Sequence, residues 1–236
     1  MYKGTLSKVL FLDIETTPQQ PSYSLLDDTF KALWDHKAKF LIRDVATETP
    51  ESIYERAGIY AEFGKIVCIS CGFISPSGSL KIKSFSGNQE EILLKEFSSL
   101  LTLHFNTPEH ALCAHNGKEF DFPYLCRRMI INDLPIPSIL NITGKKPWET
   151  SFLDTMEMWR FGDYKSFTSL NLLAQILGIP SPKDDIDGSQ VWRVYWIEKD
   201  LERIVRYCQK DVVTLTKIFL RLNQLPGIDD IKLEMV

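Results

Sequence analysis

The run V9-L-F-L-D-I-E-T16 constrains this chain more than any other stretch. Val9, Leu10, Phe11, Leu12 and Ile14 form a short apolar block of the kind that makes a strand buried on both faces. Side chains alternate along a strand, so Asp13 and Glu15 project from one face, close together. Two carboxylates held that close repel each other, and burying them is costly unless a cation neutralises them. A hard divalent ion such as Mg²⁺ or Mn²⁺ meets that need, because it takes oxygen ligands. Alone, the D-x-E pair reads as a strand end where two acids reach solvent, so a metal-binding meaning depends on acids far down the chain.

Composition narrows the field. The 236 residues are 44% hydrophobic and 25% charged, which is ordinary for a globular chain with a sizeable core. The formal net charge of −4 gives no basic field to attract a polyanion, although ions held in an acidic site can meet phosphate instead. The first residues show no leader-like pattern, and no apolar run approaches a membrane span. A cytoplasmic protein with no membrane partner is expected. Cysteines 68, 71, 113, 126 and 208 read as reduced, buried thiols. Cys68 and Cys71 have C-x-x-C spacing but lack the second pair that zinc requires, and on a strand they would face opposite sides.

Periodicity predicts an α/β fold: a single domain with a mixed sheet flanked by helices. Residues 17–62 read as a helical insertion at the rim of the site. It should hold one helix over 24–43, capped by Ser24, and another from Thr49-Pro50-Glu51 to about 61. A hairpin follows at 65–74 and 80–85, then an amphipathic helix over 88–105, a buried strand at 111–115 and a helix opening at Asp121. Residues 152–159 read as a strand with Asp154 in a structural role, and 169–178 as a helix stopped by Gly178. The D-x-D-G fragment ending at Gly188 lacks the glutamate of a calcium loop. A long amphipathic helix over 198–222 precedes a frayed tail.

Two further segments carry chemistry. In N116-G-K-E-F-D121 an acid sits where a loop becomes a helix, and by itself it would be a cap. In Y207-C-Q-K-D211 the tyrosine and the acid lie four apart on one helical face. Taken together, D-x-E on the first strand, N-x₃-F-D at a strand-to-helix loop and Y-x₃-D on a late helix resemble the three motifs of the DEDD superfamily. These are the DnaQ-type, ribonuclease H-like 3′–5′ exonucleases, and the spacing is that of the tyrosine subclass. F11-L-D-I-E-T16, H115-N-G-K-E-F-D-F-P-Y-L125 and Y207-C-Q-K-D-V212 are most similar to the proofreading exonuclease domain of family B DNA polymerases, and a stand-alone relative of that domain is the expectation.

The resemblance implies a ribonuclease H-like fold and two divalent metal ions, Mg²⁺ or Mn²⁺, held by Asp13, Glu15, Asp121 and Asp211. It implies that Tyr207 orients the attacking water. It further implies stepwise release of 5′-nucleoside monophosphates from a nucleic acid with a free 3′ end, with single-stranded DNA as the expected substrate. Thr16, Asn116 and Phe120 are the expected substrate contacts, while Lys118, Lys145 and Lys146 read as solvated loop lysines near the substrate backbone. An exoribonuclease of the same fold, a ribonuclease H-type endonuclease and a non-catalytic nucleic-acid-binding module are the competing readings.

Overall fold

The computed structural model describes residues 2–180, 186–226 and 231–236. Its frame is a six-stranded mixed sheet in the order β5-β4-β1-β2-β3-β6. The strands are β1 (Val9–Pro18), β2 (Gly64–Ile74), β3 (Leu80–Ser86), β4 (Ala111–Ala114), β5 (Phe152–Asp154) and β6 (Leu233–Met235). β1 runs antiparallel to β2 and parallel to β4, so the apolar block at Val9 lies inside the sheet. This is the expected α/β fold.

Alternation along β1 sorts its residues between two cores. Leu10, Leu12 and Ile14 join the cluster under α2 (Glu90–His104) and α3 (Asp121–Ile131). Val9 and Phe11 pack instead against Val212, Leu215 and Phe219 of α7 (Leu201–Leu222). Asp13 and Glu15 continue the second set and therefore face α7. Cys71 lies in the first core and Cys68 in a third cluster with Ile204 and Cys208 of α7, so the C-x-x-C pair does straddle the sheet.

Several boundaries differ from the sequence reading. The first helix is α1 (Asp28–Ala38), capped by the Asp27 carboxylate, which accepts from Phe30 N; Ser24 lies in a preceding 3₁₀ turn. The second expected helix is only a 3₁₀ segment, Tyr54–Ile59. Its Gly58 lies so close to β1 that a Cβ would stand 3.0 Å from the Thr17 backbone, and its carbonyl accepts from the Tyr124 hydroxyl at 2.7 Å. Tertiary contact has overridden the helical pattern there. Residues 152–159 split into β5 and α4 (Thr155–Arg160), because Asp154 caps the helix by accepting from Met156 N and Glu157 N. The tail is not frayed where described: β6 pairs with β3. The D-x-D-G fragment begins at Asp185, outside the described residues. α5 (Leu170–Ile176) and α6 (Val191–Arg193) complete the set, with a π-helical turn at Val194–Glu198 before α7. Among the described residues, no helix is long and apolar enough to cross a membrane.

Candidate active site

Three elements deliver the acids. β4 ends at Ala114 while β1 runs on, leaving the β1 backbone near Ile14 without a strand neighbour on that side. The turn after β4 fills the gap. Asn116 takes a left-handed conformation (φ 61°), which Asn tolerates better than most residues, and the chain folds back into α3. The Asp121 side chain then lies beside the Ile14 backbone, between Asp13 and Glu15. The turn is held by Asp154, whose carboxylate accepts from Asn116 N at 3.0 Å and Lys118 N at 3.1 Å.

From the other side, α7 lays Tyr207, Cys208 and Asp211 against the β1 acids. The Tyr207 hydroxyl hydrogen-bonds the Asp211 carboxylate. Donor atoms of Asp13, Glu15 and Cys208 all lie within 4.8 Å of one another. Glu15, Asp121 and Tyr207 are buried, and Asp13 and Asp211 are partly exposed. The structure thus brings Asp13, Glu15, Asp121, Tyr207 and Asp211 into one nest.

The electrostatics follow from that packing. Burial, and then repulsion from Asp211 and Asp121, pushes the Asp13 carboxyl well above the carboxylate range. Glu15 is raised by burial and then by Asp13 and Asp211. Asp121 is pushed up to about 7, first by burial. Burial and the neighbouring acids raise the Tyr207 hydroxyl too, so it keeps its proton. Buried carboxylates that oppose one another in this way form a hard-oxygen donor set that suits a divalent ion such as Mg²⁺ or Mn²⁺.

Of the expected substrate contacts, Thr16 lies at a register irregularity between Glu15 and Thr16, a device that re-aims side chains beside sites. With Arg56, Gly58, Ser189 and Trp192 it lines a cavity of about 310 Å³. Trp192 is fixed there by its Nε1–H, which donates to Pro21 O at 3.0 Å. Phe120 is half-buried and tilted against Tyr124, with ring centroids 5.4 Å apart. Lys118 pairs with Glu157 at 2.6 Å instead of standing free.

The sequence reading missed two residues. Cys208 donates to Asp13 O and Oδ2, both at 3.4 Å, and Cys68 stands opposite Glu15 in the β1–β2 register. Adjacency to Tyr207 was the available signal for Cys208. Nothing local marked Cys68, because its place depends on strand pairing.

The family described as "Predicted 3′-5′ exonuclease related to the exonuclease domain of PolB" matches residues 59–232. That range includes Asp121, Tyr207 and Asp211 and leaves Asp13 and Glu15 outside. No curated protein matches this chain. Among solved structures, the family B DNA polymerase of the archaeon Pyrobaculum calidifontis is similar over 94% of this chain, at 15% identity and a TM-score of 0.51. This chain spans 26% of that polymerase. The RNase domain of the yeast Pop2 protein (12% identity, TM-score 0.46) is covered over 77% of its length by 92% of this chain. A chain of the ExoI/SSB-Ct complex (11% identity, TM-score 0.43) is covered over 44% by 90% of this one.

Proposed function

Because the chain belongs to the family of predicted 3′–5′ exonucleases related to the exonuclease domain of PolB, we propose that it removes nucleotides stepwise from the 3′ end of DNA. Single-stranded DNA is the expected substrate and 5′-nucleoside monophosphates the products. The observation that carries this reading is the convergence of Asp13, Glu15, Asp121 and Asp211 with Tyr207. A cluster of buried and half-buried acids has no structural benefit to repay its repulsion, whereas a pair of cations would turn it into a binding site.

Asp13, Glu15, Asp121 and Asp211 would hold two divalent ions, Mg²⁺ or Mn²⁺. Such ions, when bound, neutralise phosphate charge and stabilise the attacking and leaving oxygens of an in-line displacement. The chain's own residues do the rest. Asp121 opens α3 beside the Ile14 backbone, which directs its carboxylate toward the β1 acids. Tyr207 keeps its proton and acts as a donor that orients the attacking water, with no role as a base. The cavity at Thr16, with the Trp192 ring in its wall, accommodates the terminal nucleotide, its mixed apolar and polar lining suiting base and sugar. Asn116 and Phe120, on the turn that leads into α3, supply the further substrate contacts.

The test is digestion of DNA and RNA oligonucleotides labelled at either end, with Mg²⁺, Mn²⁺ or EDTA. A 3′-to-5′ ladder on single-stranded DNA, abolished by EDTA, is expected. Digestion that survives EDTA, or that starts from the 5′ end, overturns the reading; RNA degraded in preference to DNA overturns the substrate assignment.

A further inference from the structure

The loop between α4 and α5 exposes more aromatic surface than its length explains. Residues 160–168 read R-F-G-D-Y-K-S-F-T, and Phe161, Tyr164 and Phe167 are 89%, 81% and 66% exposed. Single exposed apolar residues are commonplace, but three rings within seven residues leave a concentrated apolar surface in water. Among the described residues, none of these rings joins a hydrophobic cluster.

The loop is braced. Arg160 Nε donates to Ser166 O at 3.0 Å, and Asp163 N donates to Arg160 O at 2.8 Å. The Asp163 carboxylate accepts from Lys165 N and from the Ser166 hydroxyl, at 3.1 and 2.9 Å. Phe161 stands in the left-handed region at φ 46°, where a bulky side chain is strained. It is the C-cap residue that ends α4, and its ring is left in water.

The same loop is tied to the segment that delivers Asp121. His115, next to Asn116, shares its Nε2 with Thr168 O at 2.8 Å and its Nδ1 with the Thr155 hydroxyl at 2.9 Å. A neutral imidazole protonated on Nε2 satisfies both partners. Arg160 lies 3.7 Å from the Glu119 carboxylate in the Asn116–Asp121 turn. The aromatic loop and the turn of the candidate active site are therefore joined by side-chain contacts.

We propose that Phe161, Tyr164 and Phe167 form a stacking platform for unpaired bases of single-stranded nucleic acid on the 5′ side of the nucleotide being removed. This rests on the exonuclease reading of the site. Every base offers a π face, so stacking grips a strand without reading its sequence, as an enzyme that removes successive nucleotides requires. Exposed Lys165, between Tyr164 and Phe167, adds a positive charge for the phosphate backbone.

The experiment compares wild type with Phe161→Gly, Tyr164→Ala and Phe167→Ala on two substrates: a long single-stranded oligonucleotide, and the p-nitrophenyl ester of thymidine 5′-phosphate, which has no upstream base. Loss of one ring should raise KM for the long strand about tenfold and leave ester hydrolysis unchanged, and Tyr164→Trp, which keeps a ring at that position, should keep the wild-type KM. Phe161→Gly should also raise Tm by relieving the left-handed phenylalanine, which separates lost binding from lost folding. A long-strand KM that stays at the wild-type value overturns the platform. So does a parallel fall in ester hydrolysis, or a loss of binding to phosphatidylserine vesicles with oligonucleotide binding intact. If wild type cleaves neither substrate, the exonuclease reading fails on its own. Fluorescence anisotropy of the long strand in EDTA then decides the platform: weaker binding by the variants upholds it and equal binding overturns it.

Discussion

Cys208 donates its S–H to Asp13 Oδ2 at 3.4 Å, from the α7 position next to Tyr207. Burial and the nearby Cys68 push that thiol well above its ordinary range, so it stays protonated and donates. A partner of this kind fixes a metal-binding carboxylate without binding the metal itself. Cys208→Ala should weaken Mn²⁺ binding about tenfold, and Cys208→Ser should keep most of it. Calorimetric titration checks this; an alanine variant that binds Mn²⁺ like wild type would show that the contact is incidental.

Removing an acid should separate activity from stability. Asp13→Ala and Asp211→Ala should abolish nearly all digestion of a 3′-labelled oligonucleotide. Because each deletion relieves repulsion in the nest, the metal-free variants should melt above the metal-free wild type. If Asp211→Ala digests as fast as wild type, the site assignment is wrong.

Tyr207→Phe removes the hydroxyl that bonds Asp211 and leaves the ring in its packing. It should bind Mn²⁺ normally and lower kcat on the order of a hundredfold through lost alignment. Unchanged kcat in single-turnover assays would remove Tyr207 from the chemistry.

Stability should depend on pH in opposite ways with and without metal. In the metal-free fold Asp121 titrates at about 7, against 3.8 ordinarily. The folded chain thus holds this proton more tightly than the unfolded one. The contribution is full below the ordinary value and is lost as pH rises through about 7; Asp13 and Glu15 act in the same direction. In EDTA, Tm should fall as pH rises across this window, and the rise in Tm given by saturating Mn²⁺ should be larger at the alkaline end. Thermal melts across the range check it, and a Mn²⁺ effect that shrinks with rising pH contradicts it.

Asp121 also depends on a buried ion pair. Arg128 on α3 donates through Nε and Nη2 to Glu90 on α2, and Glu90 Oε1 accepts from Ile66 N at 2.7 Å. Both side chains are buried. Arg128→Ala should cost about 3–5 kcal/mol in urea unfolding, because it strands a buried carboxylate. Glu90→Gln combined with Arg128→Met should recover much of that loss.

The sequence by itself determined the parts whose information is local. The apolar run at Val9 specified a core strand, and period-two alternation put Asp13 and Glu15 on one face. Helical spacing paired Tyr207 with Asp211, the alternation of strand and helix patterns carried the α/β class, and the order of the three motifs carried the family. Tertiary structure decided what depends on contacts between distant segments. Packing of Gly58 against β1 reduced an expected helix to a 3₁₀ turn. Strand register set Cys68 opposite Glu15, and docking of α7 brought Cys208 onto Asp13. The early end of β4 left room for Asp121 beside the Ile14 backbone. Periodicity records which face of an element is apolar, but it does not record which other element will cover that face. Each acid could therefore be named from the chain alone, while their meeting in one nest was decided by the fold.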